Sequence, residues 1–289
     1  MQKSFSGDSV SVLAGLYAID SEFYVTDTSG LFLQPPYGMA NDMAQSGKNG
    51  PPISPVGALS VRVKYNSHGK VYLQAVVSDG VPGDQNDHHG THIKLGNGDG
   101  TFSVAEFGYT PQRDETSPES TPQNNHDEGE FFNKTAIVFW HYSARFNDLD
   151  PANPSLHPSQ GAYFLAERTL AVEKDHPAQR LSGFVRFGFA NKEIHQSDWA
   201  GSLGLRYHGL IANREDDIAG IAATVSHASD KYRLLNNAES SQTGVEATYR
   251  AQINPRLALQ PTLQYVSNPN MDAALGDAWI VGARLEAAL

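Results

Sequence analysis

Residues 244–265 read GVEATYRAQINPRLALQPTLQY. Before the NPR triplet, Val245, Ala247, Tyr249, Ala251 and Ile253 alternate with Glu246, Thr248, Arg250 and Gln252; after it, Leu257, Leu259, Pro261, Leu263 and Tyr265 alternate with Gln260, Thr262 and Gln264. Side chains along a strand point to opposite faces in turn, so this is a hairpin with one apolar and one polar face. The chain then closes on DAWIVGARLEAAL, residues 277–289, where Trp279, Val281, Ala283, Leu285, Ala287 and Leu289 share a face and Arg284 and Glu286 point the other way. Chain ends usually fray into water. An apolar face carried to the last residue suits a strand whose edge is paired and whose outer face meets lipid.

The same period recurs along the whole chain. Candidate strands are 9–20, 58–65, 71–78, 101–110, 134–146, 162–172, 181–190, 199–211, 218–228, 243–253, 257–267 and 278–288, with almost no helical period between them. In KTAIVFWHYSARF, residues 134–146, the apolar parity is Ala136, Val138, Trp140, Tyr142, Ala144 and Phe146, which leaves His141, Ser143 and Arg145 for the polar face. In LSGFVRFGF, residues 181–189, Leu181, Val185, Phe187 and Phe189 oppose Arg186. Glu167 and Arg168 in FLAERTLAVE have opposite parity, so one of them is expected at a strand end, in a bulge or beside a protecting neighbour.

Composition agrees with a β-rich chain and excludes several functions. Charged residues are 18% of the chain and Gly and Pro number 26 and 16, a turn-rich and not a helical profile. No apolar run is long enough for a transmembrane helix, which does not exclude a membrane, because a barrel buries only alternate residues in lipid. A formal charge of −11 with no basic block argues against nucleic acid. The absence of Cys removes disulfides, thiol catalysis and Cys-based zinc sites.

A membrane barrel and a soluble β-sandwich both alternate, and two features favour the barrel. Trp140, Tyr142, Trp199, Tyr249, Tyr265 and Trp279 lie near strand ends, where a lipid interface holds aromatics. Tight connections, NSHGK and NPR, contrast with long polar ones after Ser78, Thr110 and Phe146, which reads as short turns on one side of a membrane and long loops on the other. The expected fold is therefore an all-β, antiparallel up-and-down transmembrane barrel.

Such a barrel acts through its lining. A lumen that selects among polar solutes needs fixed donors, acceptors and aromatics. The inward parity offers Arg62, Lys64, Tyr72, Gln74, His141, Arg145, Arg186, Arg206, His208, Glu246, Arg250, Gln252, Gln264, Arg284 and Glu286. Arg suits this chemistry because its planar fork donates to adjacent hydroxyls. Three other stretches are better read as loops. GDQNDHHGTH, residues 83–92, is dense in His and Asp but has no fixed geometry for zinc. GNGDG, residues 96–100, lacks the Lys and the strand-to-helix setting of a phosphate loop. The acidic stretch 114–130 holds its carboxylates too close in sequence for a spaced glycosidase pair. No cofactor, metal or catalytic group is expected.

Several stretches together resemble the carbohydrate-selective porins of the OprB type: SEFYVTDTSGLFLQPPYGM, SPVGALSVRVKYN followed by YLQAVVSDGVPGD, GLRYHGLIANREDDIAGIA, and TGVEATYRAQINPRLALQPTLQYVSNP followed by the closing strand. The resemblance runs from about Ser9 to the C-terminus. It implies one outer-membrane barrel domain over residues 1–289, a monomer or a trimer, that lets small sugars diffuse through an arginine-rich eyelet, with about sixteen strands in the family against about a dozen visible here. MQKSFSGDSV lacks the basic and apolar regions of a secretory signal. By itself that start predicts a cytoplasmic chain; with the resemblance it predicts a chain that begins inside the family's barrel and lacks the earliest strands. The last residue is Leu289, where such barrels usually carry an aromatic. The rival readings are a soluble β-sandwich carbohydrate-active enzyme or lectin, and a non-conducting envelope barrel.

Overall fold

The computed structural model describes residues 1–5, 9–67, 70–83, 98–111, 132–174, 176 and 178–288. Thirteen strands form one sheet: β1 (Gln2–Phe5), β2 (Val10–Tyr17), β3 (Ala58–Ser67), β4 (Val71–Asp79), β5 (Thr101–Tyr109), β6 (Asn133–Asn147), β7 (Leu156–Val172), β8 (Arg180–Ala190), β9 (Ser197–His208), β10 (Ile218–Ala228), β11 (Ser241–Asn254), β12 (Leu257–Ser267) and β13 (Ala278–Ala287). Each strand pairs antiparallel with its sequence neighbours, in the order β1 to β13. All twelve expected strands are present; β1 is additional. Among the described residues no ladder joins β13 to β1.

Outward positions are apolar from strand to strand, as Val61, Leu73, Phe107, Val185, Leu203 and Leu263 illustrate, each at least two-fifths exposed. No described helix is long and apolar enough to cross a membrane. The opening hairpin obeys its alternation: Glu246 and Gln260 are fully buried, while Val245, Leu259 and Leu263 face out.

Residues 18–57, which join β2 to β3, do not follow the wall. They run through four short helical turns, including α1 (Asn41–Ala44), and pack inside the sheet. Ile19, Phe23, Tyr24 and Met43 are fully buried against Phe102, Val138, Trp140, Tyr142 and Leu165 of the wall. Leu31, Phe32 and Tyr37 make a second apolar cluster with Phe184, Ile218 and Ala222. Buried side chains of this size contribute about 1.5–3 kcal/mol each. The sheet therefore curls around this segment, which hydrogen-bonds to β4, β7, β8, β11 and β12.

This inward segment reverses one sequence reading. On β6, Ala136, Val138, Trp140 and Tyr142 are the buried inner row, whereas Ile137 and Phe139 point outward with His141, Ser143 and Arg145. Both parities of the strand are apolar in its middle, and the plug supplies an apolar partner for the larger aromatics. Trp140 and Tyr142 are thus core residues and not interface anchors. Trp199, Tyr249, Tyr265 and Trp279 do face outward, with Trp199 stacked on His227 at 5.0 Å and Tyr265 against Trp279 at 4.9 Å.

The loops need a second correction. Strand order puts the connections after β4 and β6 at one end, with residues 18–57, but the connection after Thr110 leaves β5 at the other end, beside the short links β3–β4 and β11–β12. Long connections are therefore not confined to one side. The stretches 84–97 and 112–131 lie outside the described residues, and with them most of the His-rich and acidic candidates.

Candidate functional site

A chain segment without regular structure brings free backbone donors and acceptors into the lumen, and inward side chains satisfy them. Arg186, 1% exposed, donates to the carbonyls of Tyr24 and Gly38 at 3.1 Å and to that of Tyr37. Its guanidinium also lies 5.2 Å from the Tyr24 ring. Across the lumen the Glu246 carboxylate accepts from the amides of Leu33 and Gln34 at 2.8 and 2.9 Å, and from Thr262 and Gln264. Glu167 accepts from the Thr28 amide at 2.9 Å. Lys134 donates to the Val25 carbonyl and pairs with Glu106, and Gln260 donates to the Leu31 carbonyl at 2.7 Å.

Six of the fifteen expected lumen residues, Arg186 and Glu246 among them, bond the segment in this way. Arg62 and Lys64 pair with Glu22 of the segment at 2.9 and 3.4 Å. Gln74 donates to the Glu22 carbonyl and to Glu106, to which the Tyr72 hydroxyl also donates. Arg206 reaches the Asp27 carbonyl at 3.4 Å. His141 and Arg145 do not belong to the lining: they are exposed on the outer face, and Arg145 donates to the Leu156 carbonyl of its neighbour strand. Glu22, Glu106, Glu167 and Lys134 were absent from the expected set. The opposite parity of Glu167 and Arg168 is settled by Glu167 turning inward and Arg168 outward, next to a register shift between Thr169 and Ala171.

Inside the segment, burial pushes the Asp42 carboxyl up to about 7. One oxygen accepts from the Tyr24 hydroxyl at 3.1 Å, and the other has no hydrogen-bond partner. Asp42 rests over Gly188 of β8: a Cβ there would meet its free oxygen at 2.0 Å, so the absence of a side chain is what lets α1 approach the wall.

A polar space lies beside the segment, toward β9–β13. A cavity of about 360 Å³ is bounded by Asp27, Arg206, His208, Asp216, Arg250 and Arg284. Here Glu286 holds Arg250 at 2.8 Å and Arg284 at 2.7 Å, Arg284 also donates to Gln260, and Arg250 donates to Gln252. Anchoring the two guanidiniums in this way fixes their planes at the edge of the space. Asp27 and Asp216 add acceptors to the lining. The arrangement has donors and acceptors for hydroxyls.

At the end that holds residues 18–57, a polar clasp ties three loops together. Lys231 of α2 (Asp230–Asn236) bonds both oxygens of Asp148 at 2.8 Å and also pairs with Glu193. His157 and Asn153 add to Asp148 at 2.9 and 2.8 Å. Asp148, His157 and Glu193 have metal-ligand spacing, but the Lys231 ammonium already bonds both carboxylates.

Comparison with known proteins follows the same line. Residues 1–289 match the family model described as carbohydrate-selective porin, OprB family. No curated protein matches the chain. The fold is similar to the high-pH structure of Pseudomonas putida OprB, with a TM-score of 0.81 and 17% identity over 99% of this chain and 71% of that one. It is also similar to the low-pH structure of that protein, with a TM-score of 0.56, 14% identity and coverage of 99% and 64%. An inward-facing polar lumen, an outward apolar belt and a family match over the whole chain agree: this is an outer-membrane β-barrel protein of the carbohydrate-selective porin family, OprB type.

Proposed function

We propose that the chain is a passive channel for small neutral sugars, which cross beside residues 18–57 through the polar space between Arg206, Arg250 and Arg284. The observation that carries the reading is this arginine group: three guanidiniums from β9, β11 and β13 around one cavity, two of them braced by Glu286, with carboxylates facing them. Neutral hydroxyl-rich solutes exchange hydrogen bonds with water for hydrogen bonds with such a lining at little net cost, whereas a single mobile ion meets fixed charge of both signs. Nothing in the lining requires a reaction, and the role is conduction without catalysis.

Liposome swelling tests it. The protein from its natural gene, reconstituted in liposomes, should admit monosaccharides fastest, disaccharides more slowly and longer oligosaccharides least. Arg250→Ala with Arg284→Ala should widen the path and flatten that size dependence. Swelling no faster than in protein-free liposomes would favour the non-conducting envelope barrel instead.

A further inference from the structure

The outer face of β8–β13 carries a groove of about 620 Å³. Its floor is two small residues that are diagonal neighbours, Ala219 and Ala247: Ala219 pairs with Tyr249, and Ala247 with Ile221 and Leu263. Tyr207 and Tyr249 stand on either side of Ala219, while Leu205, Leu263 and Val281 continue the groove toward β13. The lining is almost wholly apolar.

The groove is not parallel to the rim. Tyr207 lies one residue from the end of β9 at His208, but Val281 lies six residues from the end of β13 at Ala287. At about 3.4 Å per residue and a strand tilt of about 40°, the groove climbs roughly 13 Å along the membrane normal. That is close to the roughly 15 Å hydrocarbon depth of one leaflet. Its lower end is the end that carries the two tightest links, β3–β4 and β11–β12, and tight links face the periplasm in outer-membrane barrels. There Leu210 and Ile211 project from the β9–β10 turn, 57% and 49% exposed. The Tyr207 hydroxyl donates to Glu173 at 3.2 Å, and that of Tyr249 to Asp217, which Arg214 holds in a two-pronged pair. Tyrosines with polar tips anchored at a rim mark the headgroup level.

We propose that this groove seats one acyl chain of a periplasmic-leaflet phospholipid, its tail on Ala219 and Ala247 and its headgroup level with Arg214 and Tyr249. The occupant follows from position: the groove is continuous with the lipid-facing belt, begins at the headgroup level and spans one leaflet. The inference rests on the membrane placement of the barrel and not on sugar passage, so a channel that fails to swell liposomes leaves it intact.

The test is retention of phospholipid by the purified barrel. Protein reconstituted with phosphatidylethanolamine and phosphatidylglycerol is stripped in mild detergent and weighed intact by native mass spectrometry. The wild type, and a Leu73→Trp control on the outer face of β4, should keep one phospholipid per chain. Ala247→Trp should lose it by at least about tenfold, and the milder Ala247→Leu should weaken it, with heat-modifiable migration confirming that each variant folds. No retained lipid in the wild type, or equal retention in the folded Ala247 variants, overturns the proposal. So does a wild-type oligomer that Ala247→Trp splits, since the groove would then be a contact between copies.

Discussion

Replacing Arg186 by Met removes three donors from buried carbonyls at Tyr24, Tyr37 and Gly38. Leaving such groups unsatisfied costs about 1–3 kcal/mol each. The segment should loosen, seen as higher single-channel conductance and faster proteolysis within residues 18–57; Arg186→Lys should restore only part, because an ammonium cannot span three acceptors as a planar fork does. Gly188→Ala forces Asp42 away from the wall and should destabilise the folded form by about 1–3 kcal/mol, read from its heat-induced loss. Asp42 itself gives a pH signature. Its carboxyl sits at about 7 when folded, against about 3.9 unfolded, so the folded state binds the extra proton between those values. Stability from this group is therefore present near pH 4 and is lost as pH rises through 7. Asp42→Asn should flatten that part of the profile; an unchanged slope would mean that another group sets it.

At the level of elements, the loops around α2 depend on one ammonium. Lys231, bonded to Asp148, holds that carboxyl down to about 2. The sign is opposite to that of Asp42: the clasp is fully formed above the ordinary carboxylate range and is lost as pH falls through about 2. Lys231→Met should accelerate amide exchange in residues 229–240 at pH 7, and the wild type should show comparable exchange only in strong acid. The β6 strand provides a different test. His141→Ala and Arg145→Ala should leave sugar flux unchanged because both side chains are outside, whereas Arg250→Ala should alter it.

For the whole molecule, the wall and the plug answer to different solvents. Leu263→Lys on the outer face places a charge against hydrocarbon, which costs about 2–4 kcal/mol at the bilayer midplane. Its effect should appear as poorer insertion into liposomes with unchanged selectivity among molecules that do insert. Clamp substitutions such as Glu246→Gln should do the reverse, since Glu246 touches the inward segment and not lipid.

Period-2 alternation is a local property, and so twelve of the thirteen strands, the outer belt and the inward course of Arg62, Glu246, Arg250 and Arg284 were legible from residues alone. The four-residue β1 is too short to show a period. Residues 18–57 have no period either; what the residues offered was a group of aromatics, Phe23, Tyr24, Phe32 and Tyr37, in a connection too long for a simple turn. What lies inside a barrel is set by tertiary structure, because alternation says which residues share a face but not which medium that face meets. Where the plug is apolar, as against β6, the inner row is Trp140 and Tyr142 and the parity inverts; where it is bare backbone, Arg186 and Glu246 bind chain in place of solute. The sequence by itself determined the strands and the lipid-facing wall, through an alternation that water and hydrocarbon impose residue by residue. Only the tertiary structure decided what the lumen holds, since that depends on contacts between residues more than a hundred positions apart.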